Sequence, residues 1–190
     1  ALDYYGRSLN IFEEIGDKSG MGYGLNTIGI VHFKKGDYDK ALDYYGRSLN
    51  IFEEIGDKSG MGYGLNTIGI VHFKKGDYDK ALDYYGRSLN IFEEIGDKYG
   101  MGYSLSRIGY VNYHKGDYKK SQEYLEKSLS IQKETGFKAI ELLTTTYLYL
   151  SYKHLGKAYD VKEIHILIKE SEDIEFELNF RLYQLLDDTS

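Results

Sequence analysis

The sequence has 190 residues, with 24 Lys or Arg against 30 Asp or Glu, and its formal net charge is −6. The absence of Cys excludes disulfides and thiolate zinc sites. The acidic balance argues against binding to nucleic-acid phosphates, which requires clustered Lys and Arg. Because the sequence has neither an apolar run of about 18 residues nor a signal peptide, we expect a cytoplasmic protein that does not associate with membranes.

The sequence repeats itself. Residues 1–40 and 41–80 are identical, and residues 81–98 repeat residues 1–18 once more before the third copy diverges. A weaker fourth copy follows, and the period of 40 is marked by four glycines, Gly36, Gly76, Gly116 and Gly156. A fixed period of this size indicates a solenoid built from one repeated supersecondary unit.

Each period contains two segments with helical periodicity. The first, "GMGYGLNTIGIVHFKKG", carries its apolar stripe at Met21, Leu25, Ile28 and His32. The second, "DYDKALDYYGRSLNIFEEIG", carries a stripe at Ala41, Tyr45, Ser48, Phe52 and Ile55. Short turns join the segments, which predicts an all-α fold of antiparallel helix pairs.

Turn and cap residues mark the ends of these helices. Gly36 and Gly56 stand where helix C-caps belong. Asp37 and Ser59 are of the residue types that cap helix N-termini, so we predict that they do so here.

The segment "LNTIGIVHFKKGDYDKALDYYGRSLNIF" (25–52) resembles a tetratricopeptide repeat (TPR). The positions that carry the resemblance are Leu25, Ile28, Gly29, Gly36, Tyr38, Ala41, Tyr45 and Ser48, where Ser48 replaces the family's small Ala. The 40-residue period makes it a long variant, similar to arrays in spindle-orientation adaptors and in microbial signalling proteins. The resemblance covers about residues 1–160 and implies a right-handed α-solenoid, the TPR-like superhelix.

The resemblance also divides the chain. We expect residues 1–156 to form the repeat array, which starts on the second helix of a pair. Residues 157–190 contain degenerate helical segments, among them "EFELNFRLYQLL" (175–186), and we expect them to cap the array or to lead toward a following domain.

The family implies which residues meet a partner, because the first helix of each pair lines the concave surface. Its second, fifth, ninth, twelfth and thirteenth positions face the groove, and we call the residues at these positions the predicted binding face. They are Tyr23, Asn26, Ile30, Phe33 and Lys34 in the first copy, Tyr63, Asn66, Ile70, Phe73 and Lys74 in the second, and Tyr103, Ser106, Tyr110, Tyr113 and His114 in the third. Aromatic side chains with amides and a cation are typical of recognition surfaces.

Other motifs favour structural roles over catalysis. The glycines of "GMGYG" (20–24) follow a helix rather than a strand, so a nucleotide loop is disfavoured, and we expect Gly22, Gly24 and Gly29 to let helices approach closely. His32 recurs 40 residues later, a spacing that reflects the repeat rather than converging zinc ligands. The recurring pair Glu13 and Glu14 indicates a solvated helix face. We therefore expect no enzymatic activity, no metal and no cofactor.

Two functions remain open on the sequence. The first is a protein-interaction scaffold that binds a peptide or a helix in its concave groove. The alternative is a structural module that assembles with itself, end to end or as a dimer, through the uncapped flank left by the first helix. The partner is accordingly another protein, a peptide or a second copy of the chain.

Overall fold

The computed structural model describes residues 2–136, 138, 140–170 and 176–186. Within these ranges the chain forms ten α-helices and no strand. The helices are α1 (Leu2–Ile15), α2 (Lys18–Lys34), α3 (Tyr38–Ile55), α4 (Lys58–Lys74), α5 (Tyr78–Ile95), α6 (Lys98–His114), α7 (Tyr118–Thr135), α8 (Glu141–His154), α9 (Val161–Glu170) and α10 (Phe176–Leu186). The predicted all-α solenoid of helix pairs is confirmed. None of the described helices combines the length and the apolar character that crossing a membrane requires.

The helices fall into two compact units, residues 1–100 and residues 101–190, and each is described by itself. In the first unit α2 and α3 pair antiparallel. The end of α2 lies beside the start of α3, with the rings of Phe33 and Tyr38 centred 5.6 Å apart. The start of α2 lies beside the end of α3, where Gly22 meets Phe52. The pair α4 and α5 repeats this arrangement.

Two of the three glycines singled out in the sequence form notches between paired helices. A Cβ atom on Gly29 would stand 2.5 Å from the ring of Tyr45, and one on Gly22 would stand 2.7 Å from the ring of Phe52. Only glycine permits these contacts, which confirms the packing interpretation at both positions. At Gly24 the interpretation is wrong, because the nearest atom to a Cβ there would be 3.7 Å away, an ordinary contact distance.

A hydrogen bond across the pair explains the serine that stands at the family's small position. Ser48 is buried, and its hydroxyl donates to the backbone carbonyl of Gly22 over 2.7 Å. Ser88 makes the same bond to Gly62 at 2.8 Å. The hydroxyl therefore has a buried acceptor, so replacing Ala by Ser leaves no polar group unsatisfied.

The helix ends follow the cap pattern except at two positions. The C-cap of α2 is Lys35, and Gly36 follows it in the left-handed region with φ of 79°. Gly56 ends α3 in the left-handed region, with φ of 70°, as its C-cap assignment predicts. Asp37 is the N-cap of α3. Ser59, however, lies inside α4, and the N-cap is Asp57, whose side chain accepts the backbone N–H of Gly60. The helix therefore begins earlier than Ser59 would allow.

The paired glutamates lie on the solvent side of their helices. Glu54 forms an exposed ion pair with Lys18, and Glu94 forms the same pair with Lys58. Exposed pairs of this kind contribute about 0–1 kcal/mol each, so these carboxylates mainly join the two helices of one pair at the surface.

In the second unit α8 is the central helix. It contacts α7, α9 and α10, and its residues from Thr144 to Ser151 are all buried. Tyr149 replaces the glycine of the earlier copies, and its hydroxyl donates to Glu163 of α9. Burial and this carboxylate together raise the pKa of Tyr149. At this position α8 thus meets α9 through a tyrosine hydroxyl, where the earlier copies have a glycine that accepts a side chain.

Candidate binding face

The predicted binding face lies on α2, α4 and α6. In the first unit its outer members are accessible. Tyr23 is 51% exposed and Tyr63 is 43% exposed, and Lys34 and Lys74 are exposed at the ends of their helices. These four side chains are accessible from solvent.

The exposed tyrosines are held at both ends. The ring of Tyr23 packs edge-on against Phe52, with centroids 4.9 Å apart, and its hydroxyl donates to Asp57 over 3.3 Å. Asp57 is also the N-cap of α4, so Tyr23 connects one helix pair to the next. Burial, and secondarily Asp57, raise the pKa of Tyr23. Tyr63 repeats the arrangement with Phe92 and Asp97.

The inner members of the face pack within the array. Ile30 and Phe33 lie against the core cluster of Ala41, Tyr45 and their neighbours. Asn66 is buried. Asn26 is half-buried, and its side-chain oxygen is buried without a hydrogen-bond partner. Ser106, the residue at the fifth position of the third copy, also packs between helices. Its hydroxyl forms a hydrogen bond with the hydroxyl of Thr144 on α8 at 2.9 Å.

In the third copy Tyr103 differs from its counterparts. The sequence has Phe137 where the earlier copies have Asp57 and Asp97, and Tyr103 instead accepts a hydrogen bond from Arg107 at 2.8 Å. The guanidinium carbon also lies 4.8 Å from the centre of the Tyr103 ring. Arg107 stands where the earlier copies have Thr. It is the hydrogen-bond partner of the Tyr103 hydroxyl, which here accepts a hydrogen bond, whereas the hydroxyls of Tyr23 and Tyr63 donate to a carboxylate.

Tyr110 and Tyr113 form an aromatic cluster. Both rings pack edge-on against Tyr147, at 4.5 Å and 5.1 Å between centroids. His114 lies edge-on to Tyr110 at 4.6 Å, and His154 lies 5.9 Å from Tyr113. Tyr113 is only 8% exposed, so this part of the predicted binding face is covered.

The cover over Tyr113 includes helix α10. The guanidinium carbon of Arg181 lies 6.0 Å from the centre of the Tyr113 ring. Lys153 donates to the backbone carbonyl of Gln184 over 2.8 Å, and Leu182 and Leu185 are buried. Burial raises the pKa of Tyr113, although Arg181 and Lys153 act in the opposite direction.

The role of Lys153 was missed from the sequence, although a signal was available. Lys153 stands 40 residues after Tyr113, and His154 stands 40 residues after His114. Extending the period by one copy would have added both to the predicted binding face. No comparable signal points to Arg181, which lies beyond the repeats.

The histidines and acids do not converge on a metal site in the described parts of the chain, where no group of three or more His, Cys, Asp or Glu side chains could hold an ion. His32 is nearly buried and stacks on Tyr44, with centroids 5.4 Å apart. Its Nδ1 lies 3.4 Å from a carboxylate oxygen of Asp37. His72 makes equivalent contacts with Tyr84 and Asp77. These contacts give the two histidines a packing role.

Comparison with known proteins agrees with this architecture. The model of the tetratricopeptide repeat family matches residues 1–58 and 60–135. No curated protein matches the chain in sequence.

Among solved structures, the apo form of RapI has a TM-score of 0.80 at 18% identity, covering 97% of this chain and 55% of that one. A Rap protein complexed with Competence and Sporulation Factor has a TM-score of 0.71 at 16% identity, covering 98% and 48%. The nearly identical TPR-like repeats of a Podosopora anserina putative kinesin light chain have a TM-score of 0.62 at 11% identity, covering 99% and 86%. These identities establish a shared fold, and the chain spans about half the length of the two Rap structures.

Proposed function

The chain belongs to the tetratricopeptide repeat family, and from that premise we propose that it is a non-catalytic interaction scaffold that binds a peptide or a helix of a partner protein in its concave groove, through the predicted binding face. A fold alone does not define a function. The proposal therefore depends on the side chains of this face and on what they already contact.

The observation that carries the proposal is the position of α10. This amphipathic helix lies against Tyr113 and Lys153, which occupy the same repeat position in successive copies. An arginine over an aromatic ring and a lysine on a helix carbonyl are contacts that a partner helix could also make. The contacts of α10 thus support a helical segment as the class of ligand.

The first unit offers similar chemistry with its outer residues accessible. Tyr23 and Tyr63 present large, rigid, half-exposed rings, and Lys34 and Lys74 add cations nearby. Because the hydroxyls of both tyrosines are held by carboxylates, these rings lose little conformational freedom when a ligand packs on them. Anchored aromatic residues of this type commonly dominate the binding energy of interfaces.

The tyrosines of the predicted binding face keep their protons at neutral pH. The pKa values of Tyr23, Tyr63 and Tyr113 are all raised, with burial as the largest cause. Their hydroxyls therefore stay protonated at neutral pH, where they can donate hydrogen bonds to a ligand. One fold neighbour, a Rap protein, is known in complex with Competence and Sporulation Factor, which supports partner binding as the general class of function.

The test uses a fluorescent peptide with the sequence of α10, residues 176–186, and the full chain. Arg181→Glu should loosen the internal helix, because it replaces the cation over Tyr113 with an anion. Fluorescence anisotropy should then show the peptide binding roughly 3- to 30-fold more tightly than to the wild type, the range expected for one cation–π contact. Lys162→Glu on the exposed side of α9 is the matched control and should leave the affinity unchanged.

A second variant locates the effect. Adding Tyr113→Ala to Arg181→Glu should abolish the gain, because the ring that receives the peptide is gone. Equal affinity of the peptide for the wild type, the Arg181→Glu variant and the double variant would contradict binding at this face.

A further inference from the structure

The third copy of the repeat shows what a tyrosine at the second position of the predicted binding face can bind. The guanidinium of Arg107 lies over the ring of Tyr103, with its central carbon 4.8 Å from the ring centre. The same group donates a hydrogen bond to the Tyr103 hydroxyl at 2.8 Å. An arginine over a tyrosine ring is a favourable cation–π arrangement. The chain therefore supplies a cation of its own to this tyrosine.

The first two copies carry threonine at the position of this arginine. Thr27 and Thr67 correspond to Arg107, and their hydroxyls donate to backbone carbonyls of their own helices. The corresponding tyrosines, Tyr23 and Tyr63, are 51% and 43% exposed. Neither threonine can supply a guanidinium, and both rings keep accessible surface on which a ligand can pack.

A carboxylate beside each of these two rings adds an attraction for cations. The hydroxyl of Tyr23 donates to Oδ2 of Asp57 over 3.3 Å, and the hydroxyl of Tyr63 donates to Oδ2 of Asp97 over 3.2 Å. The other oxygen of each carboxylate accepts the N–H of a glycine in the first turn of the next helix. Because each carboxylate oxygen can accept more than one hydrogen bond, both aspartates keep the capacity to accept one from a cationic ligand.

The charges around the first site favour a cation, and the second site repeats its sequence. Lys58, which follows Asp57, forms an ion pair with Glu94 on α5. Lys34 stands eleven residues after Tyr23 on the same helix, a distance of about 16 Å along the axis. The net charge of the chain, −6, also attracts a cationic ligand.

The two sites are matched in spacing as well as in chemistry. Tyr23 and Tyr63 occupy the same position on α2 and α4, and these two helices contact each other. Packed helices lie roughly 8–10 Å apart from axis to axis. Seven residues of a ligand helix that crosses them span about 10.5 Å and return to nearly the same face. A helix with cations seven residues apart can therefore place one cation at each site.

We propose that Tyr23 with Asp57 and Tyr63 with Asp97 form two sites for cationic side chains, arginine above all, of a partner helix that carries them seven residues apart. The proposal rests on the proposed groove function and names the chemistry of its ligand, a basic amphipathic helix. Arg107 makes the equivalent contact within the chain.

The test titrates the full chain into a fluorescently labelled, alanine- and glutamine-based helical peptide that carries two arginines seven residues apart. Fluorescence anisotropy should show saturable binding that weakens as salt is added, because the contact is partly electrostatic. The same peptide with glutamates in place of the arginines should bind roughly ten-fold more weakly or less. Moving one arginine to a spacing of five residues places it on another side of the helix and should weaken binding similarly.

Two variants of the chain assign the effect to these sites. Thr67→Arg gives the second copy the residue of the third, so the new arginine should occupy Tyr63 and weaken peptide binding roughly ten-fold or more. Asp57→Asn keeps a good N-cap residue and an acceptor for Tyr23 but removes the charge, and it should weaken binding roughly 3- to 10-fold. Asn90→Arg adds the same charge at an exposed position of α5. It is the matched control and should leave binding unchanged.

The structural cost of the blocking variant is small, because arginine already occupies the equivalent position of α6. Circular dichroism should therefore report the same helicity for Thr67→Arg and the wild type. Loss of peptide binding with retained helicity then reports on the site rather than on folding.

Equal affinity for the arginine and glutamate peptides would overturn the proposal, as would binding that Thr67→Arg leaves unchanged. Capture of the α10 peptide by the Arg181→Glu variant, with no binding of the arginine peptide at millimolar concentration, would overturn this proposal alone and leave the groove function standing. Failure of both peptides to bind would remove the groove function as well.

Discussion

At the scale of single residues, the pairs are held by aromatic rings seated on glycines. A Cβ atom on Gly69 would stand 2.6 Å from the ring of Tyr85. A Cβ atom on Gly86, in the neighbouring helix, would meet no packing neighbour within 4 Å. Both glycines lie inside helices. Replacing each of them by Ala therefore distinguishes the destabilising effect of a steric clash, expected at Gly69, from the gain in helix propensity, expected at Gly86.

The matched substitutions should change stability in opposite directions. Gly69→Ala should lower the free energy of unfolding by about 1–3 kcal/mol, the usual cost of overpacking. Gly86→Ala should raise it by about 0.5–1 kcal/mol, because alanine is the better helix former. Urea unfolding of the two variants measures both values, and stabilisation by Gly69→Ala would refute the notch interpretation.

Buried tyrosines predict a loss of stability at alkaline pH. Burial raises the pKa of Tyr45 from its ordinary value of 10.0 to about 12. The folded chain therefore keeps a proton that the unfolded chain releases, so the stability is complete below about pH 10 and declines as the pH rises toward about 12. The decline from this residue should reach about 2–3 kcal/mol.

Tyr45→Phe isolates this contribution. Urea unfolding of the wild type at pH 8 and at pH values between about 10 and about 12 should show the decline, and the variant should show a smaller one. If the wild type and the variant lose stability in parallel over this range, the ionisation of Tyr45 is not the cause.

At the scale of helices, Asp57 performs two tasks. It caps α4 through the N–H of Gly60 at 2.8 Å and accepts the hydroxyl of Tyr23 from α2 at 3.3 Å. Asp57→Ala should therefore lower the free energy of unfolding by about 1–2 kcal/mol. Asp37 caps α3 without a side-chain bond to its N-terminus, and its carboxylate lies 3.4 Å from Nδ1 of His32, so Asp37→Ala should cost less than Asp57→Ala, about 1 kcal/mol or less. Thermal and urea unfolding of the two variants measure these losses of stability. An equal loss in both variants would contradict the double role of Asp57.

The sequence predicted the helices well and their contacts unevenly. Identical 40-residue copies with apolar stripes predict a solenoid of helix pairs. The close approach of helices at Gly22 and Gly29 was also predicted from the sequence. The cap at Asp57 was misplaced to Ser59, because both residue types cap helices and only the helix start decides between them. The burial of Asn66 was missed, since a face position can also lie between helices.

Helix α10 marks the limit of reading the sequence alone. Its amphipathic stripe predicts that one side is buried, yet periodicity does not say which surface receives it. The contacts of Arg181 with Tyr113 and of Lys153 with Gln184 arise between segments tens of residues apart. The expectation that residues 157–190 cap the array stays a prediction for the same reason.

At the scale of the whole molecule, the proposed function concerns the residues of the predicted binding face on α2, α4 and α6. We propose that this face receives a peptide or a helix that lies along its aromatic rings. The alternative of self-assembly remains testable through the dependence of mass on concentration, starting from the monomer mass of 21.9 kDa.

The central claim is that the predicted binding face receives a helical ligand, and ¹⁹F NMR of the chain labelled with fluorotyrosine tests it most directly. The peptide of residues 176–186 would be added to the Arg181→Glu variant, with resonances assigned by single Tyr→Phe substitutions. The account predicts that the Tyr113 resonance shifts, while those of Tyr44 and Tyr84, which lie on α3 and α5 outside the face, stay in place. Shifts confined to Tyr44 and Tyr84, or no shift at saturating peptide, would contradict it.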